Sequence, residues 1–340
     1  MVSLREVALR AGVSPSTASI ALRGDKRVKT DTRERVIEIA HALGYVPNGS
    51  ARDLKRKSKQ IIGVLLHDLG GPFYSEVLRG IQHRMHDSGF TPIVGCSAPG
   101  NHGALTRLLL EQRVDGAIVL DPLVDKEALI RIARRGLPIV VLDREISESG
   151  IYSVMANHEQ GAYHATQYLL EEGFRSIAFI SGPDDSTHSK ARLAGFCRAL
   201  AQTRQRGVCA GIYAGNFTED SGCEIAYQIM RDQGRHRVDA VFAANDEMAL
   251  GVMKAFADVG VVIGQEVAVM GFDDILIAQY ARPALTTVRQ PMYDIGYHAA
   301  DLICRALVQD RSSLPTEAVV FPMQLVVRES TKKTTFEGGI

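Results

Sequence analysis

Beyond residue 60 the chain alternates short apolar runs with longer stretches whose apolar residues recur at helical spacing. The runs cover residues 61–67, 91–96, 116–120, 139–142, 176–181, 240–243 and 267–271, and their length and composition predict buried strands. Between them, residues 74–88, 158–172, 190–203, 220–231 and 246–259 carry one apolar face each and predict helices. Strand–helix alternation argues for parallel sheets, which bind ligands beyond the carboxyl ends of their strands. Residues 60–340 are long enough for two such α/β units.

The first 46 residues follow a different rule and predict three short helices. Ser3-Leu4-Arg5-Glu6 is a capping box, in which the Ser3 hydroxyl accepts from the Glu6 amide. Leu4, Val7, Ala8 and Ala11 then recur at helical spacing, and Gly12 stops the helix. Ser14 is an N-cap followed by Pro15 at the first helical position, so a second helix begins about three residues after the first ends. That tight connection is a helix-turn-helix. Thr30 is expected to cap a third helix with Val36, Ile37, Ile39, Ala40 and Leu43 as its stripe and Gly44 as its end. Ala8, Val13, Ala18, Leu22, Val36 and Ala40 would form a very small core.

Charge changes what this head can be. The first sixty residues hold thirteen Lys/Arg against six Asp/Glu, while the whole chain balances at 39 of each. A basic head on an acidic body is the electrostatic footprint of a nucleic-acid reader joined to another module. On the second helix Ser16, Thr17, Ser19, Ile20 and Arg23 would face outward, and Ala18, Ala21 and Leu22 inward. The start of such a helix, here Ser14 and Pro15 onward, enters the major groove. Ser16 can bond to several bases, Ile20 can touch a thymine methyl, and Arg23 can grip guanine or phosphate.

The order of motifs resembles the lac repressor/purine repressor family of bacterial regulators. It is carried by Val7-Ala8-x-x-Ala11-Gly12-Val13-Ser14-x-x-Thr17-x-Ser19, Thr32-Arg33-Glu34-Arg35-Val36 and Gly44-Tyr45-x-Pro47-Asn48. It continues through Val114-Asp115-Gly116, Gly182-Pro183, Arg192-Leu193-Ala194-Gly195-Phe196, Ala244-Asn245-Asp246, Gly271-Phe272-Asp273-Asp274 and Leu285-Thr286-Thr287-Val288-x-Gln290-Pro291. The resemblance implies an all-α helix-turn-helix domain (1–46), a hinge (47–59) and a periplasmic-binding-protein-like α/β body of two doubly wound parallel-sheet subdomains. Those would span 60–158 with 291–321, and 159–290 with 322–340.

Read alone, the basic segment after Pro47 is a flexible linker, since Gly49 and Ser50 disfavour a helix. The resemblance implies a hinge helix that orders on DNA, with Asn48, Ala51, Leu54 and Lys55 at the duplex. Leu54 would wedge into the minor groove and kink a base step. Gly49 stands where the family usually has a better helix former, a difference of about 1 kcal/mol per subunit.

Several polar residues follow directly on apolar strands: Asp143 and Arg144, Asn245 and Asp246, and Asp273. Phe73 and Tyr74 follow the first strand, and Arg192 and His188 lie near the start of a helix. By resemblance, Phe73, Tyr74, Asp143, Arg144, His188, Arg192, Asn245 and Asp273 would line an effector cleft, although Asn245 and Asp246 equally suit a helix cap. Purine-type members place arginine and threonine where this chain has Ser186 and His188, so a carbohydrate or related polar metabolite is the expected effector.

Enzyme signatures are missing. The sequence has no G-x-G-x-x-G, Walker-type loop, G-x-S-x-G or H-E-x-x-H motif. His158-Glu159 with His164 misses the zinc-helix spacing, and five scattered cysteines make no C-x-x-C pair. No catalytic residue, metal or cofactor is therefore expected. The cysteines fit a reduced, cytoplasmic setting. Met1 to Ala11 is not a signal peptide, and the tail after Thr331 has no leucine heptads for a tetramer bundle. The expectation is a homodimeric, DNA-binding repressor on a partly palindromic operator, switched by a small metabolite. The alternative is a solute-binding protein of the same body fold, which would have no affinity for DNA.

Overall fold

The computed structural model describes residues 2–46, 58–97, 103–203, 209–232, 237–309 and 311–332. The hinge positions Asn48, Ala51, Leu54 and Lys55 lie outside the described residues. The chain divides into two compact units, residues 1–59 and 60–340.

The first unit holds α1 (Leu4–Ala11), α2 (Pro15–Ala21) and α3 (Thr30–Ala42). Its boundaries follow from local chemistry. Ser3 Oγ accepts from the Glu6 amide at 3.3 Å, and Gly12 closes α1 with a φ of 66°. Ser14 Oγ accepts from the Thr17 amide at 3.1 Å, and Pro15 occupies the first turn of α2. One expectation fails: Thr30 lies inside α3, and the capping residue is Lys29, which makes no side-chain cap bond. Lysine offers no acceptor, so the first turn gains its anionic complement from Asp31 instead. Val7, Ala8, Ala11, Ala18, Ala21, Val36 and Ala40 form the core, with Leu4, Val13, Leu22 and Tyr45 packed around them. Ile37 is not part of it: it falls one position off the inward face and stays 47% exposed.

Among the described residues the second unit contains twelve strands. In chain order they are β1 (Ile61–Leu66), β2 (Thr91–Cys96), β3 (Gly116–Leu120), β4 (Ile139–Leu142), β5 (Ile151–Ala156) and β6 (Ile177–Ser181). They continue with β7 (Cys209–Ala214), β8 (Ala240–Ala243), β9 (Ala268–Asp273), β10 (Thr286–Arg289), β11 (Val319–Phe321) and β12 (Gln324–Val326). One sheet runs β11-β5-β4-β3-β1-β2 and the other β12-β10-β9-β8-β6-β7. Every pair is parallel except β10 with β12, which is antiparallel. The central strands are buried on both faces, as parallel strands covered by helices must be. The chain passes from the first sheet to the second after β5, returns after β10, and crosses again between β11 and β12.

The second sheet's core is anchored by phenylalanines. Phe179 stacks on Phe196 at 4.9 Å between ring centroids and meets Phe242 edge-on at 5.3 Å. The helices His158–Glu171 and Thr187–Gln202 pack closely at Gly195, where any Cβ would overlap the Glu159 carbonyl oxygen. That contact sets the first turn of the earlier helix against the middle of the later one. Among the described residues no helix is long and apolar enough to cross a membrane.

Candidate functional site

On α2, Ser14, Pro15, Ser16 and Arg23 are exposed, Thr17, Ser19 and Ile20 are half-buried, and Ala18 and Ala21 are buried. The outward residues thus form one face, as helical spacing requires. Ser14 Oγ lies 2.8 Å from the Ser16 hydroxyl and 2.9 Å from that of Thr17, so the cap draws three hydroxyls together at the helix start. Arg23 Nε donates to the Ser19 carbonyl at 3.0 Å, which steadies its stem along the helix while the residue remains exposed. This is a short polar face with one fixed cation.

In the second unit, four of the residues singled out from sequence converge. Asp143 follows β4 and Asp273 ends β9, both with left-handed backbone (φ 56° and 119°) that turns their carboxylates off the strand direction. Such conformations are uncommon for non-glycine residues and persist where surrounding contacts hold them. Arg192, buried on the Thr187–Gln202 helix, approaches Asp273 at 3.2 Å and donates to the Ala244 carbonyl. Its guanidinium lies 3.9 Å over the Phe272 ring, with Phe217 on another side at 6.0 Å. His188, one turn earlier on that helix, reaches Asp143 at 3.4 Å.

Three further groups complete the cluster, and of these the strand-end reading picks out only Asp246. His158 begins the helix after β5 and is buried. Its Nε2 lies 3.6 Å from Asp143, its Nδ1 faces Arg192 Nε at 3.4 Å, and its ring stacks on His188 at 4.5 Å. Gln290 is buried and donates to Asp273. Asp246, also buried, accepts from the Thr287 hydroxyl and, at 2.9 Å, from the Ile275 amide. His158 follows a strand end as Asp143 does, one position further on, behind the capping residue Asn157. Tyr152 and Ser153 disguised that strand.

Two expected cleft residues are placed otherwise. Arg144 turns to the end of β3, where its Nη1 donates to the Val124 carbonyl at 2.8 Å. Asp143 and Arg144 thus turn to different neighbours, Asp143 to the histidines and Arg144 to Val124. Asn245 is the N-cap of the Asp246–Asp258 helix: its Oδ1 accepts from Met248 and its Nδ2 donates to the Phe217 carbonyl at 2.8 Å. Its amide serves the scaffold. Phe73 and Tyr74 meet edge-on at 5.2 Å in the first turn of the Gly71–His86 helix and are half-buried.

Burial and pairing set the charges. Burial alone would raise Asp143, but His188, His158 and the Ala156 backbone bring it down to about 2, so it stays ionised. Burial lowers His158 to about 4 and also lowers His188, against the pull of Asp143 on both. Asp273 is raised by burial despite Arg192 and Gln290, and Asp246 is held well above the usual range by burial and then by Asp273. Tyr74 is pushed up to about 12 by burial and then by Asp68, Asp121, Cys96 and Asp143. On the opposite lip, Gly71 faces Glu247, whose carboxyl is raised by burial and by Asp273, Glu219 and Asp68. The site is a buried polar cluster, rich in paired donors and acceptors, with aromatic faces beside it.

Residues 3–48 match the family model for bacterial regulatory proteins of the lacI family, and residues 166–331 match that for a periplasmic-binding-protein-like domain. Catabolite control protein A of Priestia megaterium is 32% identical over 97% of this chain and 99% of its own. The transcriptional repressor PurR of Vibrio parahaemolyticus is 33% identical over 98% of this chain and 99% of its own. A lac repressor dimer bound to operator and the anti-inducer ONPF superposes with a TM-score of 0.79, at 28% identity, over 97% of this chain and 99% of that one. With a helix-turn-helix head, a two-sheet body and relatives matched from end to end, the chain belongs to the lacI family of bacterial regulatory proteins and is a DNA-binding transcriptional regulator.

Proposed function

We propose that this regulator is a cytoplasmic homodimeric repressor whose operator affinity is set by a polyhydroxylated metabolite, a carbohydrate or derivative, bound among Asp143, His158, His188, Arg192, Asp273 and Gln290. One observation carries the reading. Ionised and neutral acceptors, a buried guanidinium and an amide converge at strand ends of both sheets. Hydroxyls both donate and accept, so a sugar can satisfy such a mixed set. Because the groups come from both walls, a ligand binding them favours one spacing of the walls over another, and that differential affinity is what shifts operator affinity. His188, half-exposed beside Asp143, offers hydrogen-bond capacity suited to a hydroxyl.

The head would read one half-site through Ser14, Pro15, Ser16, Thr17, Ser19, Ile20 and Arg23. Asn48, Ala51, Leu54 and Lys55 would serve the operator centre. Leu54→Ala is expected to weaken specific operator binding far more than non-specific binding, because only the specific complex is kinked. Equal weakening of both would remove the wedge.

The cleft is tested by thermal shift with a panel of mono- and disaccharides and their acids on the full chain and on Asp273→Asn. A sugar of the right class should raise the melting temperature and change operator affinity. In Asp273→Asn its affinity should fall by about 1.5–3 kcal/mol, the range for a hydrogen bond to a charged group. An unchanged response in that variant would place the effector elsewhere.

A further inference from the structure

Asp143, His158 and His188 present ligand atoms that all lie within 4.8 Å of one another. Asp143 Oδ1 and His158 Nε2 are buried without a hydrogen-bond partner, although they stand only 3.6 Å apart. His188 Nε2 is 3.4 Å from the other carboxylate oxygen. These separations are too long for good hydrogen bonds. They match the spacing of tetrahedral ligands, which metal bonds of about 2.1 Å hold about 3.4 Å apart, and the His158 and His188 rings, stacked at 4.5 Å between centroids, would turn to bring both Nε2 lone pairs onto one ion. Two imidazoles with one carboxylate form a donor set that first-row cations prefer, and three protein ligands leave a position open.

We propose that Asp143, His158 and His188 bind one divalent first-row transition cation of the zinc class in the cleft, its open position facing an oxygen of the effector. The inference rests on reading this cleft as the effector site. It differs from the sequence-based expectation of no metal, which considered the spacing of His158, Glu159 and His164 and that of the cysteines. The three ligands here come from separate elements that only the fold assembles.

Binding would also reach the opposite wall. A cation on His158 Nε2 places the ring proton on Nδ1, which Arg192 Nε now faces at 3.4 Å. Two donors cannot share that contact, so Arg192 gives up His158 and keeps Asp273, 3.2 Å away. The cation is thereby linked to the groups proposed to hold the effector.

The test uses the full chain carrying Cys197→Ser and Cys209→Ser, since those exposed thiols would otherwise compete for soft cations. Cobalt(II) is titrated and followed by visible absorption, then displaced with zinc(II). One equivalent should bind with ligand-field bands and no thiolate charge-transfer band. His188→Ala and Asp143→Asn should each weaken binding at least tenfold, the lower end of losses seen even for outer-shell partners. His188 is half-exposed, so its removal spares the core, and circular dichroism checks that the fold survives. Failure of the folded chain to bind stoichiometric cobalt, or binding indifferent to His188→Ala, overturns the proposal. A sugar response with no cobalt site would overturn the cation while keeping the effector cleft. A cobalt site of this ligand dependence with no metabolite response would keep the cation and reject that effector reading.

Discussion

The head and the body solve the burial problem on different scales. The fully buried side chains of the head are alanines and two valines, Val7 and Val36. The body buries five phenylalanines below 2% exposure, Phe179, Phe196, Phe242, Phe256 and Phe272, beneath two six-stranded sheets. Stability scales with apolar area removed from water, so the body has a wide margin and the head a narrow one. The head is correspondingly dependent on its caps. The body can keep ionised and strained groups in its cleft because the surrounding core over-determines them.

The comparison is tested most strongly by truncating one side chain in each unit. Phe242→Ala should destabilise the body by about 3–5 kcal/mol and leave the head's own transition in place. Calorimetry should then show only the larger transition shifting. If both move together, the units are not separate folding bodies. Val36→Ala removes less surface, about 2 kcal/mol by the same reasoning, yet it should abolish operator binding because it takes most of what the head has. Effector binding, read by thermal shift of the body, should be unchanged. Ser14→Ala should have the smallest effect, about 1 kcal/mol for a lost N-cap, seen as a lower head melting temperature and weaker DNA binding. No change would mean that Pro15 alone fixes the start of α2.

How much was legible in the sequence differs between the two units for a physical reason. In the head, signals are local: Ser3 to Glu6, Gly12 and Ser14-Pro15 each act within four residues, and the helices begin and end accordingly. Thr30 misled because a good capping residue only caps if its own backbone is extended, which one residue type cannot report. In the body, alternation gave the α/β class but hid β5, β7, β10, β11 and β12. Tyr152 and Ser153 in β5, and Thr286 and Thr287 in β10, look polar yet are buried. Ser153 Oγ accepts from Ile146, Thr286 bonds to Arg328 and Thr331, and Thr287 bonds to Asp246. Those partners are distant in sequence, apart from Ile146. The cleft shows the same limit. Position at a strand end was readable for Asp143, Arg144, Asn245 and Asp273, but side-chain direction was not, so Arg144 and Asn245 turned out to serve the scaffold. His158 joins the cluster through the helix contact at Gly195, which no local pattern reveals.

The central claim is that this head reads DNA as half of a symmetric pair. It is tested most directly by selecting binding sites from random duplexes with the purified full chain, at low salt and with metabolite extract present. The expected result is an enriched, partly palindromic site with a deformable central step, and loss of that enrichment with Arg23→Ala while the body's response to its effector is kept. Recovery of no preferred sequence by a folded wild-type chain would contradict the account.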